Sequence, residues 1–119
     1  MNNFSTKNIH FISKFVTNYN DDTHVALDDL INESKDNIFF KIDVDGDELL
    51  VLKGITNTLS SYNCKLIVET HSKELENNCV LFLKNLGYSI KIIPNAWWRF
   101  FIPELRPINH NRWFSAEKK

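Results

Sequence analysis

The sequence has little glycine, proline or cysteine: three Gly, three Pro and two Cys in 119 residues. Gly46, Gly54 and Gly87 stand far apart, and none lies within a Gly-x-Gly arrangement. Apolar and charged fractions of 43% and 24% are ordinary for a globular chain, which excludes collagen-like and disordered classes. Cys64 and Cys79 lack CxxC spacing, so they are expected to be reduced core thiols of a cytoplasmic protein rather than a disulfide. No apolar run approaches the roughly 20 residues that span a bilayer, so no membrane partner is expected. The start Met1-Asn2-Asn3-Phe4 has neither the charged nor the apolar region of a signal peptide. A formal charge of −1, with Lys and Arg scattered along the chain, provides no footprint for nucleic acid. A chain of 119 residues is one domain at most, with a modest core.

What is present has a clear order. Residues 1–22, rich in Asn, Ser and Thr, are poorly specified. Ile9, Ile12, Phe15 and Val16 fit one helix face, but Phe4 and Phe11 leave that stripe, so the segment reads as a loose helix or the cut edge of something larger. Residues 23–119 form the patterned part. Leu27 to Ile31 predicts a short helix with acids in its first turn. Ile38 to Val44 is a β-rich run that ends in Asp-Gly turn chemistry. Leu49, Leu52, Ile55 and Leu59 recur at helical spacing, predicting one amphipathic helix from Asp47 to about Ser60. Lys65 to Glu69 predicts a second strand. A helix bearing Leu75, Cys79, Phe82, Leu83 and Leu86 follows, closed by Gly87 as a left-handed cap. Tyr88 to Ile93 predicts a third strand, stopped by Pro94, and Trp113 to Ala116 a fourth that enters antiparallel. The βαβαβ series implies an α/β fold with three parallel strands joined by crossover helices. The apolar runs of the first two strands suit a sheet covered on both faces.

In open parallel sheets, ligands bind beyond the carboxyl ends of the strands. That edge gathers Asp43 and Asp45 from the first strand, Glu69 and His71 from the second, and Asn95, Trp97, Trp98 and Arg99 after the third. Carboxylates, an imidazole and aromatic walls make a reasonable binding site. Plainer readings stand beside it. Asp43 and Asp45 can cap the turn and the next helix, Glu69 and His71 can be a surface pair, and one of the two indoles can belong to the core. Asp47 and Glu48 read as helix-start electrostatics, and His10 and His24 have no partner spacing. A metal site from His71 and His110 would need carboxylates from distant loops, so no metal is expected.

The acidic segment resembles two known motifs. With Lys41 as position one of a calcium loop, Asp43, Asp45 and Gly46 fall at positions three, five and six. Position one is then Lys and position twelve is Leu52, which excludes calcium. An apolar strand followed by Asp-x-Asp-Gly also resembles the first motif of haloacid-dehalogenase-type phosphatases, with Thr70 or Ser72 standing for the second. Against it, Asp47 follows Gly46 where that family has Thr, and no Lys precedes a late strand ending in paired acids. It stays as an alternative.

A broader resemblance covers the chain from about Ala26 onward. Ala26-Leu27-Asp28-Asp29-Leu30, then Phe40-Lys41-Ile42-Asp43-Val44-Asp45-Gly46-Asp47-Glu48 and Val51-Leu52-Lys53-Gly54, resembles the FkbM family of S-adenosylmethionine-dependent methyltransferases. The family pattern is Thr-Leu-Asp-Asp-Leu, Lys-Ile-Asp-Val-Glu-Gly-x-Glu and Val-Leu-x-Gly, and Lys65 to Glu69 resembles its next strand. Ala26 stands for Thr, and Asp45 for Glu with one methylene less of reach. Such enzymes hold the methyl donor with a glycine-rich loop after their first strand, which these 119 residues lack. The resemblance therefore implies the carboxyl-terminal half of a Rossmann-like methyltransferase domain, strands four to seven of a seven-stranded sheet. It implies methyl transfer from S-adenosylmethionine to an acceptor oxygen on a saccharide or natural product. Asp45 would be the base or acceptor-positioning group, Asp43 would sit nearer the methylsulfonium, and Glu69, His71 and Trp97 would face the acceptor. The loop from Asn95 to Asn111 would carry acceptor specificity. The isolated chain is expected to be inactive without the donor-binding half. The competing class is a non-catalytic remnant or interaction module, self-associating through the exposed sheet edge.

Overall fold

The computed structural model describes residues 9–31, 37–94 and 112–119. Phe15–Val16 (β1) and His24–Val25 (β2) pair in parallel as a two-stranded sheet. The helix considered for the first 22 residues is not formed among the described ones. Phe15 is exposed and Val16 half-buried, and the N–H groups of Phe15 and Thr17 donate to the carbonyls of Thr23 and Val25. The helix predicted near Leu27 is one 3-10 turn, Leu27–Asp29.

The main sheet follows. Ile38–Ile42 (β3) leads to the helices Glu48–Lys53 (α1) and Thr56–Ser61 (α2), then to the strand Cys64–Thr70 (β4). Lys73–Asn85 (α3), Tyr88–Ile93 (β5) and Arg112–Lys118 (β6) complete it. Strand order is β3-β4-β6-β5. β3 and β4 pair in parallel from Ile38 opposite Cys64 to Ile42 opposite Val68. β6 is antiparallel to both β4 and β5, with Phe114 opposite Val68 on one side and Ile92 on the other.

The α/β fold with a mixed sheet is as expected, and of the three strands expected to be parallel only two are paired with each other. β5 runs in the same direction as β3 and β4, but β6 separates it from them and only β3 and β4 pair in parallel. Burial explains the insertion. β6 buries Phe114 and Ala116, as a central strand does, whereas β5 buries only Tyr88 and leaves Ser89 and Lys91 exposed. The antiparallel direction expected for the last strand is found.

Two-faced coverage is also corrected. Along β3, Phe40 and Ile42 are buried while Phe39 and Lys41 are exposed. Along β4, Cys64, Leu66 and Val68 are buried while Lys65 is exposed. Among the described residues this alternation leaves the face of Phe39, Lys41 and Lys65 open, although Glu69 at its carboxyl end is buried. The core on the buried face joins Leu52, Ile55, Leu59, Cys79, Leu83 and Phe114. On the other face, Phe39, Lys65, Ile67, Lys91 and Ser115 line an open groove of about 440 Å³.

The single helix predicted over 47–60 is broken at Gly54–Ile55 into α1 and α2. The break has a packing cause. A Cβ at Gly54 would lie 2.1 Å from the Thr17 carbonyl oxygen, so only glycine lets the β1 segment approach this turn. Gly54 also accepts the Asp28 N–H at 2.9 Å. The Asp28 carboxylate in turn accepts Asn57 N–H and Thr58 N–H, each at 2.9 Å, and the Thr58 hydroxyl at 2.7 Å. Asp28 thus satisfies the orphan donors at the start of α2. Gly87 has φ of +86°, the expected left-handed cap of α3. Cys64 and Cys79 are free and buried, as expected.

Candidate active site

Because β3 and β4 run in parallel, their carboxyl ends lie side by side and release their next residues at one edge. Asp43 and Asp45 leave β3 there, and Glu69 and His71 mark the end of β4. One donor atom each from Asp43, Glu69 and His71 lies within 4.8 Å of the others. The His71 Nε2 is 3.4 Å from the Asp45 Oδ1. The four carboxylate and imidazole residues expected at this edge are therefore brought together. Trp97, Trp98, Arg99, Asn95 and His110 lie outside the described residues.

The sequence marks Glu48 only as a helix-start acid, yet it is central to the cluster. It is 0% exposed, and its Oε1 meets the His71 Nδ1 in a short hydrogen bond. The Gly46 N–H also donates to that oxygen at 3.3 Å. A carboxylate accepts, so Nδ1 carries the proton and Nε2 faces Asp45. Gly46 contributes a φ of +106°, which turns the chain sharply between Asp45 and α1. The Glu48 Oε2 is buried with no hydrogen-bond partner among the described residues. A signal for Glu48 did exist in the sequence: it is the last acid of the Gly-x-Glu pattern. What the sequence did not reveal is that its side chain turns inward to an imidazole 23 residues away.

Burial alone lowers the basicity of the His71 imidazole. The Glu48 hydrogen bond, with the charges of Glu48, Glu69 and Asp45, outweighs it, and the net shift is upward. Trp113 is a second residue that sequence reasoning placed only as a strand start. It pairs with Glu69 across the β4–β6 ladder, and the Lys41 Nζ sits 5.3 Å from its ring centroid. The same ammonium is 3.6 Å from Asp43, so the carboxylate edge is bordered by an aromatic face and one cation.

Further along the same sheet, Arg112 and Glu76 form a bidentate ion pair. The Arg112 Nε donates to the Glu76 Oε2 at 2.6 Å, and Nη2 donates to Oε1. Lys73 adds a third donor at 2.5 Å. Arg112 is the main cause that holds the Glu76 carboxyl down at about 2, against the opposing effect of burial. This pair ties α3 to the first residue of β6.

No curated protein and no solved structure matches the chain. The sequence model of the methyltransferase FkbM domain matches residues 1–90. That span takes in Asp28 and Gly54, and also the Asp43–Glu48 segment, Glu69 and His71, which build the edge just described. With 90 of its 119 residues so matched, the chain belongs to the FkbM methyltransferase domain family.

Proposed function

We propose that this chain supplies the acceptor side of a methyl transfer from S-adenosylmethionine to a hydroxyl oxygen, on a saccharide or another natural product. The observation that carries the reading is the convergence of Asp45, His71 and Glu48 at the carboxyl ends of a parallel strand pair. Asp45 is 99% exposed and free to meet an incoming hydroxyl, and His71 is braced from behind by a buried carboxylate. In this reading Asp45 accepts the acceptor's proton, and His71 positions Asp45 through the imidazole edge. Asp43, Glu69 and Trp113 form the wall beside them, with Trp97 as a further acceptor-side candidate.

The described residues do not fit a grip on the donor. Gly54 is filled by the Thr17 backbone, Gly87 caps a helix before β5, and Gly46 stands alone at the acidic turn. Donor binding is therefore assigned to residues other than the described ones, and the sheet of β3 to β6 to the later strands of a Rossmann-like methyltransferase domain.

The test is transfer of a labelled methyl group from S-adenosylmethionine to a panel of saccharide and natural-product hydroxyls. It is run with the chain alone and with the chain joined to the donor-binding half of an FkbM methyltransferase. Label should appear only in the joined protein and fall about a hundredfold in Asp45→Asn, the usual contribution of a positioned base. Undiminished transfer by Asp45→Asn removes the base assignment, and no label on any acceptor in either arm overturns the reading.

A further inference from the structure

We propose that Asp43, Glu69 and His71 form a binding site for one divalent transition cation, of which Mn²⁺ is the test ion. The donor set comes first. One imidazole nitrogen and two carboxylate oxygens, from two adjacent strand ends, lie within 4.8 Å of one another. Donors sharing an ion at about 2.0–2.2 Å are at most about 4.4 Å apart, so a small rotation closes the set. Asp43 is exposed and able to make that rotation. An imidazole beside carboxylates favours a first-row transition ion over Mg²⁺ or Ca²⁺, which prefer oxygen alone.

The second observation is Glu48. Ligating histidines are usually oriented by a carboxylate on the ring nitrogen away from the metal. The Glu48 Oε1 holds the His71 Nδ1, which leaves Nε2 toward the cluster. Independently of that bond, the Glu48 Oε2 is completely buried and unpartnered among the described residues. A buried carboxylate with an unpaired oxygen is costly unless positive charge lies close by. A cation on Nε2 provides it, one imidazole away. Among the described residues, Asp43 and Asp45 stand exposed beside the His71 imidazole and bring carboxylate oxygens to it. The Lys41 ammonium, 3.6 Å from Asp43 and over the Trp113 ring, is the exposed cation that an ion would displace from Asp43. Asp45, at 3.4 Å from Nε2, is placed to complete the coordination or to take a proton from a ligand on the ion.

The site does not depend on the methyl-transfer reading, because cation binding needs neither donor nor acceptor. If that reading holds, a hydroxyl in an open coordination position would lose its proton more readily than in water.

The experiment is titration of the full 119-residue chain with Mn²⁺, followed by the loss of the free-ion electron paramagnetic resonance signal. Pulsed spectra then detect nitrogen coupled to the bound ion. The expected result is one ion per chain with a single imidazole coupling. Asp43→Asn and Glu69→Gln should each weaken binding at least tenfold, and the coupling should vanish in His71→Gln, which keeps the side-chain bulk. Asp21→Asn, at the separate Asp21–His24 surface pair, should bind as the parent does. Circular dichroism checks that each variant is folded, and His71→Asn is the fallback should His71→Gln unfold. Absence of stoichiometric binding, or an imidazole coupling that survives without His71, overturns the site. Either result leaves the labelled-methyl experiment free to succeed or fail separately.

Discussion

Glu76 and Glu48 are both buried acids on helices, and their partners set them apart. Glu76 is matched by Arg112 and Lys73, so its negative charge is neutralised in place. Glu48 has one imidazole and an orphan oxygen, an arrangement suited to orienting His71 rather than to stabilising the fold. The Glu76 pair makes a pH prediction. Its carboxyl lies at about 2 in the folded chain, against an ordinary 4.5. The folded state therefore binds this proton less readily than the unfolded chain does. Its stabilisation is complete above pH 4.5 and is lost as the pH falls toward 2. Urea midpoints measured at descending pH should fall through that window in the parent chain and fall less steeply in Glu76→Gln. Arg112→Ala, which removes the bidentate partner of a buried carboxylate, should cost about 2 kcal/mol at neutral pH.

At the scale of elements, the break between α1 and α2 shows how a short motif serves two tasks. The Val-Leu-x-Gly pattern contributes Val51 and Leu52 to the core and Gly54 to the contact with Thr17. The Leu-Asp-Asp pattern caps the next helix through Asp28. Both patterns were legible as motifs, but neither their mutual contact nor the helix break was. Periodicity registers which face is apolar, and Leu49, Leu52, Ile55 and Leu59 keep that face across the break. Gly54→Ala would force its Cβ against a backbone oxygen at 2.1 Å, a clash that no rotamer change relieves. The expected outcome is a loss of about 2–3 kcal/mol, read as a lower thermal midpoint, with the amides of residues 15–25 exchanging faster. An unchanged midpoint would mean that the Thr17 segment moves away freely.

For the whole molecule, the open sheet face is the main consequence of the strand pattern. Among the described residues, β3 ends the sheet with its outer edge unpaired, and Phe39 on the open face is 66% exposed. Such an edge templates association unless it is covered or charged. Sedimentation velocity should show average mass rising with concentration, and Phe39→Lys should suppress the rise. A mass constant up to millimolar chain would show that this face does not associate.

The sequence by itself determined the three strands between residues 38 and 93, the helix before Gly87 with its left-handed cap, the antiparallel last strand and the meeting of Asp43, Asp45, Glu69 and His71 at one edge. These follow from local periodicity, turn chemistry and the rule that parallel strands open their carboxyl ends together. It also contained the residues that place the chain in the FkbM methyltransferase domain family. Only the tertiary structure decided that β6 lies between β4 and β5, that Phe39 and Lys65 stand on an open face among the described residues, and that Glu48 reaches His71. Each of these depends on pairing between segments distant in the chain. Side-chain periodicity records a residue's burial but not the partner that buries it. For that reason Glu48 looks like any acid at a helix start until β4 brings an imidazole beside it.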